Sequence, residues 1–188
     1  MNNTIDFKTI WHSAGIPGVV LAAVSTAYLL IDFQLTQHPF TGSTVLVFCL
    51  DLAKIVACIW LMYRFLTKFK EDYEEATVFD VKRLGKWIAL LSALIFAALS
   101  MALNMMHPEL VEEAFDTLLQ TAGDNLDRNS LDAMEKMQNY YPQIVFVSQF
   151  IYCSLFGWIL SAILARKVAP VNPFAEGWKE KKNNEEEE

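Results

Sequence analysis

Ser43 to Phe65 reads STVLVFCLDLAKIVACIWLMYRF. At ~1.5 Å of rise per residue a helix of this length crosses a ~30 Å hydrocarbon layer, so the stretch is predicted to be a membrane span. Within its apolar run lie Asp51 and Lys54. Ionisable side chains are costly inside a bilayer, which makes this pair the most informative chemistry in the chain.

Working outward, three further apolar runs have the same character, at about 14–35, 84–106 and 143–165. The connector Thr36–Gly42 is short and holds Pro39 and Gly42, so the first two spans are expected to be antiparallel neighbours. Pro17 is expected near the start of its helix, where a missing amide is tolerated. Residues 1–12 suit a short interfacial segment with Trp11 at headgroup level. After the second span come seventeen mostly charged residues, Thr67 to Arg83, in which Thr77-Val-Phe-Asp80 matches a capping box opening the next helix. His107-Pro108 ends the third span. Leu110, Val111, Ala114, Phe115, Leu118 and Leu119 then recur at helical spacing, stop at Gly123, and resume as Leu131, Met134, Met137 and Tyr141. Two short amphipathic helices are expected there, forming a cap over 108–141.

The expected fold is therefore all-α: an integral membrane four-helix antiparallel bundle with a helical extracytoplasmic cap. Residues 1–174 form the membrane domain, and 175–188 form a charged cytoplasmic tail whose composition predicts disorder. The 54% apolar content of the 188 residues and a mean hydropathy of +0.26 agree with a small membrane protein. A net charge of −7 argues against a nucleic-acid partner, which would require a basic face. Cys49, Cys58 and Cys153 all lie in apolar runs without CxxC or Cys/His spacing and are read as small core residues. With only Lys8 against Asp6 ahead of a long apolar run, the first span is expected to be uncleaved.

Orientation follows from the positive-inside bias. With both termini cytoplasmic, twelve of the fifteen Lys and Arg residues fall inside: Lys8, Arg64, Lys68, Lys70, Lys82, Arg83, Lys86, Arg166, Lys167, Lys179, Lys181 and Lys182. The cap holds Arg128 and Lys136 against eight acidic residues between Glu109 and Glu135. The expected location is a bacterial inner membrane, multi-pass.

Lipid gives helices no hydrophobic reason to associate, so small residues that permit close approach must supply much of the contact. Each span has such a ladder at spacing four: Ala14, Gly18, Ala22; Cys49, Ala53, Ala57; Ala89, Ala93, Ala97; and Gly157, Ser161, Ala165.

Three signatures lie along this layout: the basic stretch leading into Thr77–Trp87 (TVFDVKRLGKW, with Gly85), the segment His107–Glu113 (HPELVEE), and the exit Arg166-Lys-Val-Ala-Pro170 to Pro173-Phe174. Together they resemble the domain-of-unknown-function 4199 family, small four-span bacterial membrane proteins, over roughly Gly15 to Pro173. The resemblance implies a four-span inner-membrane protein and no established activity.

Asp51 and Lys54, three residues apart, share a helix face, and Lys54 can reach back towards Asp51. By depth, Asp32, Ser100, Asn104, Ser148 and Gln149 can join them in a polar cluster beneath the cap. The functional reading is a proton or cation relay, or a small-ligand pocket, with Asp51 titrating and Lys54 as its counter-charge. The bland reading, and the leading one, is an interhelical pairing that fixes register. His38 and His107 precede prolines near Glu109, Glu112 and Glu113, but His-Pro pairs also serve as helix stops, and no metal or other cofactor is expected. Lys68, Lys70, Lys82, Arg83 and Lys86 can face anionic headgroups, though orientation already explains them. No GxSxG, HExxH, Walker A or GxGxxG string occurs, so no enzyme is expected. The expected partners are the lipid bilayer and, through the acidic cap, other membrane or envelope proteins. A structural or accessory role leads, with a small transporter or channel-like protein using Asp51 and Lys54 as the alternative.

Overall fold

A computed structural model describes residues 6–37, 43–122 and 128–169. In chain order these form α1 (Phe7–Gln37), α2 (Ser43–Asp72), α3 (Val78–Met106), α4 (Pro108–Ala122), α5 (Arg128–Asn139) and α6 (Tyr141–Val168). Helices α1, α2, α3 and α6 are long and apolar enough to cross a membrane. The protein is an all-α membrane bundle. The Thr36–Gly42 connector and the turn around Gly123 lie wholly or largely outside the described residues, and the 175–188 tail wholly so.

The helices are longer than the apolar runs that announce them. Residues 7–12 are not a separate interfacial segment but the opening turns of α1, with the Asp6 carbonyl accepting from the amides of Thr9 and Ile10 at 3.1 and 3.2 Å. Ile10 is fully buried, which ties this end into the core. Pro17 therefore stands inside α1 rather than near its start. It removes one backbone bond, a loss that neighbouring helices make tolerable in a span. Likewise α2 runs on to Asp72, because backbone hydrogen bonding continues after the chain leaves the apolar layer, so the expected seventeen-residue loop shrinks to residues 73–77.

That loop hands the chain to α3 through a complete capping box. The Thr77 hydroxyl accepts from the Asp80 amide at 3.3 Å, and the Asp80 carboxylate accepts from the Thr77 amide at 3.0 Å. Two amides left without partners at a helix start are thereby satisfied reciprocally. Asp80 is fully buried, and its second carboxylate oxygen has no hydrogen-bond partner.

Helix α3 is the centre of the bundle, packed mainly against α6 on one side and α1 on the other. Its seam with α6 uses small residues on both faces. A Cβ added to Gly157 would collide with the Ala89 methyl, and one added to Gly85 would lie 2.9 Å from the Ser161 Cβ. The Ser161 hydroxyl donates across the seam to the Lys82 carbonyl at 2.8 Å. Ala165, one turn on, is fully buried. With little hydrophobic drive between helices in lipid, this close approach and its hydrogen bond hold the pair.

Helix α2 behaves differently along its length. Met62, Leu66 and Phe69 are buried in the core shared with Ile10, Val81, Leu84 and Leu164. Towards its start, Val45, Phe48, Cys49, Leu52, Ala53 and Val56 form one exposed face, and on the opposite face Val47, Leu50, Lys54 and Ala57 are only half-buried. The Cys49-Ala53-Ala57 ladder thus makes no seam like that of α6: α2 is anchored at its Asp72 end and stands off the bundle at its Ser43 end. Beyond the spans, α4 buries Val111 and Phe115, the latter set edge-on to the Tyr141 ring at 5.8 Å, while His107 faces the Phe33 ring at 4.8 Å. These contacts put α4 at the same end of the bundle as the splayed start of α2.

Candidate functional site

The divergence of α2 from α3 and α6 leaves a cavity of about 430 Å³ inside the bundle. Asp51 and Lys54 line it from α2, Gln149 and Tyr152 from α6, Ser92 and Phe96 from α3, and Ser25 from α1. Its long direction follows the helices: from Asp51 to Met62, and from Gln149 to Leu160, the wall extends over eleven residues, or ~16 Å of helical rise. The charged and amide side chains stand at one end, and Met62, Gly157 and Leu160 at the other.

Lys54 is half-buried, and its Nζ sits over the Phe96 ring, 4.9 Å from the centroid. No ion pair joins it to Asp51, which is exposed. A cation resting on an aromatic face is stabilised by the ring quadrupole without being neutralised. The cavity wall therefore carries an acidic and a basic side chain, one turn apart, that form no direct ion pair with each other. Midway along the wall, Cys58 and Cys153 face the same space from α2 and α6, with the Cys58 thiol 3.8 Å from the Ser25 hydroxyl. Both thiols are free and half-buried, while Cys49 is exposed. None of the three is the tightly packed core residue that its apolar setting suggests.

Of the residues expected in a polar cluster, Asp51, Lys54 and Gln149 come together on this cavity. Asp32 is exposed on α1 and does not line it. Ser100 is buried elsewhere on α3, its hydroxyl without a partner, and Asn104 turns onto its own helix, donating to the Ser100 carbonyl at 2.8 Å. Ser148 is exposed and donates to the Val145 carbonyl at 3.1 Å. Of the packing ladder, Gly157 serves twice, at the α3 seam and in the cavity wall.

At the α4 end, His107 Nδ1 and Glu109 Oε1 are 3.0 Å apart. Backbone hydrogen bonding at the start of α4, and then the imidazole, hold the Glu109 carboxyl below its ordinary range. Among the described residues no three His, Cys, Asp or Glu side chains come together as a metal site would need. His38 lies outside them.

A family model described as protein of unknown function (DUF4199) matches residues 13–166. The chain belongs to this family. The DUF4199 match takes in every residue that lines the cavity, from Leu21 to Leu160. No curated protein and no solved structure matches the chain.

Proposed function

We propose that this membrane protein acts as a small transporter or channel-like protein that passes a proton or small cation through Asp51 and Lys54, on the wall of the cavity between α2, α3 and α6. The observation that carries this reading is the pair of ionisable side chains, not joined in a direct ion pair, on the wall of a cavity of about 430 Å³. That volume lies within the ~300–1,000 Å³ usual for ligand sites. A structural pairing of Asp51 with Lys54 would have placed the two groups on each other. An ionisable residue in a span without such a partner points to ligand or ion handling. The reading needs no catalytic step. Replacing Asp51 and Lys54 together with Asn and Met, then measuring proton or cation flux in proteoliposomes, tests it. Flux in the wild type that the double variant loses supports it, and flux absent from the wild type or unchanged in the variant rejects it.

A second reading, an accessory protein that docks other membrane or envelope proteins, is favoured by α4 and α5. Leu118, Leu131 and Met137 expose apolar surface on helices that lie beyond the spans, among acidic neighbours. Crosslinking from Leu118 should then capture one reproducible neighbour. For both readings we place the protein in a bacterial inner membrane with both termini cytoplasmic and α4–α5 outside, on the strength of the Lys and Arg distribution. A reporter fused after Glu188 should be active only on the cytoplasmic side.

A further inference from the structure

At the opposite end of the bundle from α4, the facing surfaces of α1 and α3 carry two features on one line. Arg83, Trp87 and Leu91 are spaced four apart and share a face of α3, as Phe7, Trp11, Gly15 and Val19 do on α1. The Arg83 guanidinium lies over the Phe7 ring, 5.0 Å from its centroid. The rings of Phe7 and Trp11 in turn meet Trp87 edge-on at 5.7 and 4.8 Å. Directly along from this aromatic cluster runs a second hollow of about 410 Å³, lined by His12, Gly15, Ile16, Val19, Val20 and Leu91.

The first feature suits a phosphate. Among the described residues no carboxylate pairs with Arg83, whose guanidinium rests over Phe7 with its N–H groups in no ion pair. Those groups match the oxygens of a phosphate in bidentate fashion. Trp11 and Trp87 are the side chains that settle at headgroup level in a bilayer. The second feature suits a hydrocarbon chain. Leu91 lies eight residues beyond Arg83, or ~12 Å deeper along α3. Gly15 leaves that wall open, since a Cβ there would meet nothing within 4 Å. Gly18 closes the far side, where a Cβ would come within 2.8 Å of the Leu91 side chain.

From this juxtaposition we infer that the α1–α3 face is a binding site for an anionic glycerophospholipid, its phosphate on Arg83 and one acyl chain in the groove beside Gly15. Neutral zwitterionic lipid fits less well. Lys8 and Lys82 flank the site in sequence, whereas Lys86 turns away to the Trp158 ring of α6, and the charge of the first two disfavours a quaternary ammonium headgroup while favouring net negative charge. A free phosphate would engage Arg83 alone and leave the groove unused.

The test is lipid retention by the full chain, purified in a neutral detergent and analysed by native mass spectrometry after exposure to phosphatidylglycerol or to phosphatidylcholine with the same chains. Wild type should retain phosphatidylglycerol several-fold more than phosphatidylcholine. Arg83→Gln should bring the two to the same level, whereas Lys167→Gln, which removes a cation held over Tyr63 at the same end but away from the α1–α3 face, should leave the preference intact. Gly15→Leu should lower retention of phosphatidylglycerol with Arg83 in place. If Arg83→Gln does not fold, Gly15→Leu and the two lipids decide alone, because that substitution adds its side chain to open space. Equal retention of both lipids by wild type, an unchanged preference in Arg83→Gln, an equal loss in Lys167→Gln, or undiminished retention in Gly15→Leu overturns the proposal.

Discussion

The Lys54 ammonium rests 4.9 Å from the centroid of the Phe96 ring, with no ion pair to Asp51 three residues earlier on α2. The contact reaches from α2 to α3 across the cavity, in a region where those helices otherwise touch little. It is thus one of few ties near the splayed end of α2. Removing the ring with Phe96→Leu should destabilise the protein in detergent, and the same substitution should cost less in a Lys54→Met background. The difference, read from a double-mutant cycle of unfolding midpoints, should be about 0.5–2 kcal/mol, the range of a partly desolvated cation–π contact. Full additivity of the two substitutions would mean that the contact contributes nothing.

The α3–α6 seam sets a separate expectation. Gly157→Ala places a methyl against that of Ala89, and the helices must part to accept it. Overpacking of this kind costs about 1–3 kcal/mol. Ala89→Gly in the same chain removes the obstructing methyl, so the double variant should recover much of the loss in thermal unfolding. Failure of that rescue would show that Gly157 is needed for something other than this approach.

Cavity filling gives a chemical readout. Cys58 and Cys153 face the cavity and Cys49 does not. Ser92→Phe, from α3, should lower the rate at which a small maleimide labels Cys58 and Cys153 while leaving Cys49 unchanged, as measured residue by residue by mass spectrometry. Equal slowing of all three would point to a global change instead.

These expectations draw on parts of the molecule that were unequally legible in the sequence. Four spans announce themselves as apolar runs, because twenty such residues have few other places to go. The helix ends do not, since hydropathy reports the solvent around a helix and not its hydrogen bonds: Thr67–Asp72 is charged and still helical. Asp51, Lys54 and Gln149 stand out as polar side chains in apolar surroundings. Ser25, Ser92, Cys58 and Cys153 do not, because a small polar residue in a span can bond to its own backbone, as Thr26 does with the Ala22 carbonyl at 2.8 Å. Which way such a residue faces depends on how its helix is turned by packing. The two ladders Cys49-Ala53-Ala57 and Gly157-Ser161-Ala165 have the same spacing, yet only the second is buried throughout, because α2 diverges where its ladder lies.

The turn from α3 into α4 carries the pH expectation. Glu109 stands in the first turn of α4, where backbone hydrogen bonding and then the His107 imidazole at 3.0 Å favour its charged form, so its carboxyl titrates below the ordinary value of 4.5. A group whose folded pKa is depressed adds stability that is fully present above its unfolded value and disappears as pH falls through the folded one. The Glu109 carboxylate should therefore stay charged into acid, and its part in the His107–Glu109 contact should be lost as pH falls through its lowered pKa. In a sample labelled at glutamate side-chain carbons, the Glu109 carboxyl resonance should titrate below those of solvent-exposed glutamates. His107→Ala should move it part of the way back, leaving the backbone contribution at the start of α4 in place. A full return to the ordinary value would assign the whole shift to the imidazole, and no movement would assign it all to the helix start.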